Sequence, residues 1–456
     1  METKTKASIC YEQGNGDFSL NPKPLKLLIV AASLIFLMSL AFKITCLSWE
    51  ESKYTDPARK IVVPDDFTKI QNAIDNATPG DTVYVRAGVY TERLLINKSI
   101  LLMGENNATT VIESSQHEDT ITVMADNVTV SGFTVKSGEN FTLSYGIRLS
   151  NSHNTTISDN IITGHFEGVG LVGGSSNLIQ YNLITKNRYG IFTSNFSTNN
   201  VIFHNLVSES IWNGIELNWG GGNIVYANNI VNNTAYGLEI PVYAPSLNNI
   251  ILHNDFVNNV HTVIEGAQIV YQAYGPSPNF WDNDGEGNYW SDYMGKDEDH
   301  DGIGDSPHVT MYGTADHYPL MGDFSDIMIR GFCVTMVSNS LITGSDLRLN
   351  GTKATLSMSI FQKANSTGFC RVSLPKALMA DPYEVRFDGV VITYPQVREL
   401  PCSNRIYECL YVDYPPGDHS IEISGIAVVS EFPMPMVFVF FGPAVILAFM
   451  LYRRRH

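Results

Sequence analysis

A short phrase that returns about every 23 residues decides what this chain can fold into. It reads Tyr-Gly-Ile at 145–147, Glu-Gly-Val at 167–169, Tyr-Gly-Ile at 189–191, Asn-Gly-Ile at 213–215 and Tyr-Gly-Leu at 236–238. The glycines, Gly146, Gly168, Gly190, Gly214 and Gly237, stand 22, 22, 24 and 23 residues apart. A second phrase, two apolar residues and then Asn, keeps step with it at Asn160, Asn182, Asn205, Asn228 and Asn254. Between these markers the apolar runs are short and bounded by Gly, Asn, Ser and Asp, which excludes ordinary helices. A hairpin sandwich has no strict period. A coil of three short strands and three turns, advancing about 4.8 Å per coil, has one. The Asn column then stacks as a ladder, each amide donating to the next, and its role is structural.

The array has a beginning and an end. Phe67, Ile70, Ala73, Ile74 and Ala77 fall on one face at helical spacing behind Asp65 or Asp66 as N-cap, which predicts a helix over 66–77. It lies between strand-like runs at 61–63 and 82–85, where it covers the apolar end of the first coil. At the other end, residues 281–307 form an acidic closing segment. There Asp297, Asp299, Asp301 and Asp305 occupy relative positions 1, 3, 5 and 9, with Gly302 at 6. This is the oxygen-ligand spacing of the first part of an EF-hand loop, although His308 replaces the Glu of position 12, and it predicts a structural Ca2+. The solenoid therefore spans 61–322. Residues 325–427 alternate apolar and polar positions between turn signals, as a small β-sandwich does.

Lys plus Arg total 29 against 46 Asp plus Glu, a net charge of −17. That balance argues against nucleic acid, and against adhesion to an anionic bilayer through a basic face. Residues 27–42 are apolar and follow Lys23 and Lys26; residues 436–452 are apolar and precede three arginines. The expectation is a signal anchor or signal peptide over 25–46 and a C-terminal transmembrane helix over 431–452. Residues 1–24 and 453–456 are then cytoplasmic, 47–60 is a linker, and the body is extracellular. Ten Asn-X-Ser/Thr sequons suit a glycoprotein: Asn76, Asn97, Asn107, Asn127, Asn140, Asn154, Asn195, Asn232, Asn350 and Asn365. Cys333, Cys370, Cys402 and Cys409 cluster in the downstream domain and predict two disulfides with three pairings open, Cys402–Cys409 being the simplest. A zinc site would want a Cys-X2-Cys spacing that these four lack.

Several stretches resemble a known family. Ile61-Val62-Val63-Pro64, Ile70-Gln71 and Pro79-Gly80-Asp81-Thr82-Val83-Tyr84-Val85 resemble the opening of pectin-lyase-like right-handed parallel β-helix proteins. The Asn/Gly-Ile phrases resemble the NosD-like or CASH (carbohydrate-binding and sugar-hydrolase) repeat. Asn288-Tyr289-Trp290-Ser291-Asp292-Tyr293, with Asp301-Gly302-Ile303-Gly304-Asp305, is similar to the segment that closes this repeat in archaeal surface proteins. The resemblance implies an all-β chain: a right-handed parallel β-helix, then a β-sandwich, between terminal transmembrane helices. It implies much less about activity, because the fold hosts lyases, hydrolases, binders and accessory proteins.

Aligning the coils gives columns in which function can be sought. Two residues after each repeated glycine stand Arg148, Gly170, Phe192, Glu216 and Glu239; one before it stand Tyr145, Glu167, Tyr189, Asn213 and Tyr236. Glu216 and Glu239 are one coil apart, about 5 Å, and are the candidate catalytic acid/base pair. The competing expectation is two solvated surface glutamates. Tyr145, Tyr189, Trp212, Trp219 and Tyr236 are candidate stacking surfaces for sugar rings. A lyase needs a base beside calcium-binding carboxylates, and Arg148, Lys186 and Arg188 share no column with an Asp cluster. His204 and His253 share a column two coils apart, about 10 Å, too far for one copper ion. The expected function is a membrane-anchored extracellular β-helix that binds glycans or envelope polymers without catalysis. A polysaccharide-active hydrolase or lyase is the alternative, and a copper-handling accessory role is the weakest of the three.

Overall fold

The computed structural model describes residues 58–428, apart from 115–117, 138–143, 260, 264–268, 277, 284, 311–312, 362–366, 394–395 and 404–405. Each coil lays one strand into each of three parallel sheets of nine, eight and nine strands. The apolar positions of the repeat meet rung on rung. Val130, Ile157, Ile179, Ile202, Val225 and Ile251 are successive register partners in the first sheet, and all are fully buried. At the glycine phrases the next rung comes too close for any side chain. A Cβ on Gly190 would stand 2.4 Å from the Gly214 carbonyl oxygen and 2.5 Å from a Val207 methyl.

The predicted ladder is present and runs further than expected. Asn160, Asn182, Asn205, Asn228 and Asn254 each donate Nδ2 to the next Oδ1, and Asn254 hands on to Asn288 at 3.0 Å. A second ladder links Asn177, Asn200, Asn223, Asn249 and Asn279 at another corner. The same period marks it in the sequence.

The capping helix is shorter than expected, Ile70–Asn76, and neither aspartate caps it. Asp66 accepts from the Val62 amide, and Asp65 pairs with Arg86. The free amides of Ile70 and Gln71 are instead bonded by the Glu92 carboxylate from the following coil, at 2.9 and 3.1 Å. At the far end Trp290 stacks on Phe256 and on His308, each at 4.3 Å. His308 thus closes the core, which accounts for its place at position 12 of the acidic loop.

Beyond the solenoid, from Asp323 to Ala427, two antiparallel five-stranded sheets share one core that includes Val334, Leu356, Val372, Leu410 and Ile423. This is the expected sandwich. Of the four cysteines, Cys333, Cys370 and Cys409 are buried. Strand register bears on two of the expected pairings. Cys370 pairs with Ser338, five residues along the strand from Cys333, roughly 16 Å at strand spacing and far beyond disulfide reach. Cys409 pairs with Ser373 rather than Cys370. Cys402 and Cys409 are neighbours, and the Cys402 thiol also accepts from Arg371 Nη2 at 3.4 Å.

Both apolar segments, 27–42 and 436–452, lie outside the described residues, as do the sequons at Asn140 and Asn365. No helix among the described residues is long and apolar enough to cross a membrane. Asn76, Asn97, Asn127, Asn154, Asn195, Asn232 and Asn350 are exposed; Asn107 is half-buried and donates to the Asp159 carbonyl.

Candidate functional site

The second sheet carries the candidate residues on its outward side. Its strands Tyr145–Ser150, Glu167–Val172, Tyr189–Ser194, Ile215–Leu217 and Leu238–Glu239 align Arg148, Gly170, Phe192, Glu216 and Glu239 as register partners, as the column alignment predicts. Alternation in a strand turns these side chains away from the Ile/Leu core.

Glu216 and Glu239 are not the solvated pair that was expected. Glu216 is only 5% exposed. Asn213 Nδ2 donates to Glu216 Oε2 at 2.8 Å and to Glu239 Oε2 at 2.5 Å, so one amide bridges both carboxyls. Asn218 Nδ2 holds the other Glu216 oxygen at 2.7 Å. A third carboxyl, Glu167, lies one strand beyond Tyr189 in the neighbouring column and is 7% exposed. Burial, aided by the charge of Glu216, pushes Glu239 up to about 7 and Glu167 up to about 8; burial also raises Glu216.

Aromatic side chains border this carboxyl floor on both edges. On the side where the strands begin, Tyr189 stacks with Trp212 at 6.2 Å, and the Arg188 guanidinium lies 4.7 Å from the Phe166 ring and 5.1 Å from the Trp212 ring. On the side where they end stand the exposed Phe196, Trp219 and Tyr243, with Phe196 and Trp219 6.0 Å apart. Tyr189 and Tyr243 both feel the charges of Glu216 and Glu239. Tyr145 leans over Gly170, where a Cβ would meet its ring at 2.2 Å. Of the expected stacking residues, Tyr145, Tyr189, Trp212 and Trp219 remain accessible. Tyr236 does not: it is buried against Tyr274 at 5.6 Å and belongs to the packing.

Sequence reasoning missed Glu167, Asn213, Asn218, Phe196 and Tyr243 as members of the site. Glu167 and Asn213 already stood in the column before the glycine. The others follow the strands in turns of uneven length, where no column exists to read. One consequence is testable. The raised carboxyls keep protons in the folded chain that the unfolded chain releases near the ordinary value of 4.5. Their contribution to stability is therefore complete below about 4.5 and is lost as pH rises to about 8. The melting temperature is expected to fall by about 5 °C between pH 5 and 8.5, and Glu167→Gln to flatten that slope, in a differential scanning series.

The acidic loop brings three of its four aspartates together. Ligand oxygens of Asp297, Asp299 and Asp301 all lie within 4.8 Å of one another. Asp305 lies outside that group and accepts from the Glu298 amide, tying the loop shut. An all-oxygen set suits a hard cation. The histidines are placed differently. His204 pairs with Asp326, and His253 with Glu286 at 3.0 Å, while Ala227 occupies the rung between them.

With the geometry in place, comparison with known proteins is informative. Residues 74–295 match the family model described as periplasmic copper-binding protein (NosD). The solenoid of this chain is NosD-like. A cell surface glycoprotein of Methanothermus fervidus is 40% identical over 103 residues, which cover 22% of this chain and 16% of that one. A probable ABC transporter binding protein NosD of Pseudomonas aeruginosa is 43% identical over 68 residues, covering 15% and 14%. The matched stretches thus span about a sixth of these relatives. Among solved structures, a pectin methylesterase from Yersinia enterocolitica aligns at 17% identity and TM-score 0.34, over 46% of this chain and 78% of that one. The A-module of a mannuronan C-5 epimerase from Azotobacter vinelandii aligns at 15% and 0.31, over 47% and 80%. The copper in the NosD description finds no matching site among the described residues. His204 and His253 are engaged with carboxylates two rungs apart, and the one metal-spaced group is all aspartate, which copper does not favour.

Proposed function

We propose that this NosD-like chain is a surface protein whose second sheet binds glycans along the floor between Trp212 and Tyr243, without cleaving them. One observation carries this reading: hydrogen-bonding carboxyls and amides at Glu216, Glu239, Asn213 and Asn218 lie between exposed aromatic rings on both edges. Sugar rings stack on aromatic faces while their hydroxyls bond to such polar groups. Surface location is supported by the glycoprotein relative, by the exposed sequons and by the charged flanks of 27–42 and 436–452, which we take as membrane anchors. Binding without hydrolysis is supported by the shared Asn213 bond. It places both carboxyls side by side under a bound sugar, whereas a glycosidase pair flanks the scissile bond.

A glycan array tests the reading. Wild-type chain should bind a defined set of oligosaccharides, and Trp212→Ala should weaken that binding about tenfold, the loss of one stacking contact. Undiminished binding by Trp212→Ala would remove the face from the account. A hydrolase is the second reading, favoured by Glu239, whose carboxyl burial raises to about 7, one rung from Glu216. It predicts new reducing ends during incubation, lost in Glu239→Gln.

We also propose that Asp297, Asp299 and Asp301 hold a structural Ca2+ at the closing end of the solenoid. Their grouped oxygens, and Gly302 at φ +84° in the turn, support this. EDTA should lower the melting temperature by several degrees in wild type and leave Asp301→Asn unmoved; an equal melting point with and without chelator would refute it.

A further inference from the structure

The polar groups of the candidate floor are unevenly used. Both amide donors are spent inside the protein, Asn213 Nδ2 on Glu216 and Glu239, and Asn218 Nδ2 on Glu216. Two buried oxygens beside them are left over. Glu167 Oε2 and Asn218 Oδ1 have no hydrogen-bond partner, in residues only 7% and 5% exposed. Glu167 Oε2 lies beside the Tyr145 ring, 3.3 Å from where a Cβ on Gly170 would stand. A buried acceptor without a donor costs free energy that a ligand donor recovers.

The charges are as one-sided as the hydrogen bonds. Three carboxyls lie within four successive rungs, and among the described residues no Lys or Arg pairs with Glu216 or Glu239. The nearby cations are engaged elsewhere. Arg148 reaches Asp119 at 3.5 Å and lies over the Tyr145 ring, and Arg188 is held between Phe166 and Trp212. The Tyr189 and Tyr243 hydroxyls both feel the charge of these carboxyls. Aromatic faces and carboxylates around one space attract a cation that also carries N–H donors.

Taking the glycan-binding reading as its basis, we propose that this face selects a cationic sugar. The ligand unit is an amino sugar with a free ammonium group, seated over Glu216 and Glu239 between Tyr189 and Tyr243, its N–H and O–H groups donating to Glu167 and Asn218. An N-acetylated unit loses the charge. A uronate adds a carboxylate to three carboxyls that no Lys or Arg pairs directly and is rejected. The charge of the ammonium opposes the upward shift that burial gives these carboxyls, so binding near pH 7 expels protons to solvent. The groups that set this release are Glu167, Glu216 and Glu239, with Arg148, Asp119, Tyr189 and Tyr243 around them.

The test is calorimetric titration of the full chain at pH 7 and physiological salt with three probes: a β-1,4-linked glucosamine tetrasaccharide, its fully N-acetylated counterpart and a galacturonate tetrasaccharide. The amine is expected to bind at least tenfold tighter than the acetylated form. Buffers of different ionisation heat should report net proton release. Glu216→Gln combined with Glu239→Gln should abolish both the preference for the amine over the acetylated form and the proton release. That last arm separates a built site from the general attraction of an acidic protein for a polycation. Equal or tighter binding of the acetylated or uronate probe overturns the cationic preference and leaves glycan binding standing. Failure of all three probes to bind overturns both.

Discussion

Asn205→Ala is expected to cost about 4 kcal/mol or more and to lower the melting temperature by on the order of 10 °C. The side chain is 1% exposed and lies mid-ladder. Its Oδ1 accepts from the backbone N–H and the Nδ2 of Asn182, at 3.1 and 2.9 Å. Its Nδ2 donates to Asn228 Oδ1 and to the carbonyls of Ile179 and Phe203. Truncation leaves the buried Asn182 backbone N–H without its acceptor and takes a donor from Ile179, Phe203 and Asn228, each lost buried bond costing about 1–3 kcal/mol. Asn229→Ala is the control: it is an exposed strand asparagine and should change stability by less than about 0.5 kcal/mol. Thermal melts of the two variants decide the matter, and equal effects would refute a stabilising ladder.

The second large effect lies where the sandwich meets the solenoid. Arg371, on the strand Gly368–Pro375, reaches Glu286 Oε1 at 2.7 Å, and Glu286 Oε2 meets His253 Nε2 at 3.0 Å. His253 bonds in turn to the buried Tyr226 hydroxyl and stacks on Phe324 at 4.1 Å. All of these groups are buried or nearly so. Arg371→Met takes the guanidinium from a buried carboxylate, which typically costs about 3–5 kcal/mol. The melting temperature should again fall by roughly 10 °C. Limited proteolysis should cut first in the sandwich. Replacing the triad together, with Glu286→Gln and His253→Phe added, should recover part of the loss, since no unpaired charge remains.

How much of this could be read from the sequence depends on how local each cause is. The glycine and asparagine columns were legible because each acts on its own equivalent one coil away, and a period survives translation. The second ladder through Asn177 and Asn200 carried the same signal and needed only a second column. The capping helix was mislocated because its N-terminal amides are bonded by Glu92, a residue of the next coil that no local cap rule consults. The cysteines cluster in sequence, but strand register holds Cys333 and Cys370 apart. The depth of Glu216 was invisible for a related reason. Its burial depends on Asn213, Asn218 and the turn carrying Tyr243, and turns between coils vary freely in length. Alternation placed the glutamates outward; only the packed neighbours took them out of water.

The central claim is a position: glycan on the second sheet, between Trp212 and Tyr243. A crystal structure of the chain with bound glucosamine tetrasaccharide tests it most directly. The account predicts a sugar ring against Tyr189 or Trp212 and an amino nitrogen within about 3 Å of a Glu216 or Glu239 oxygen. Sugar density on another sheet or on the sandwich, with this floor left bare, would contradict it.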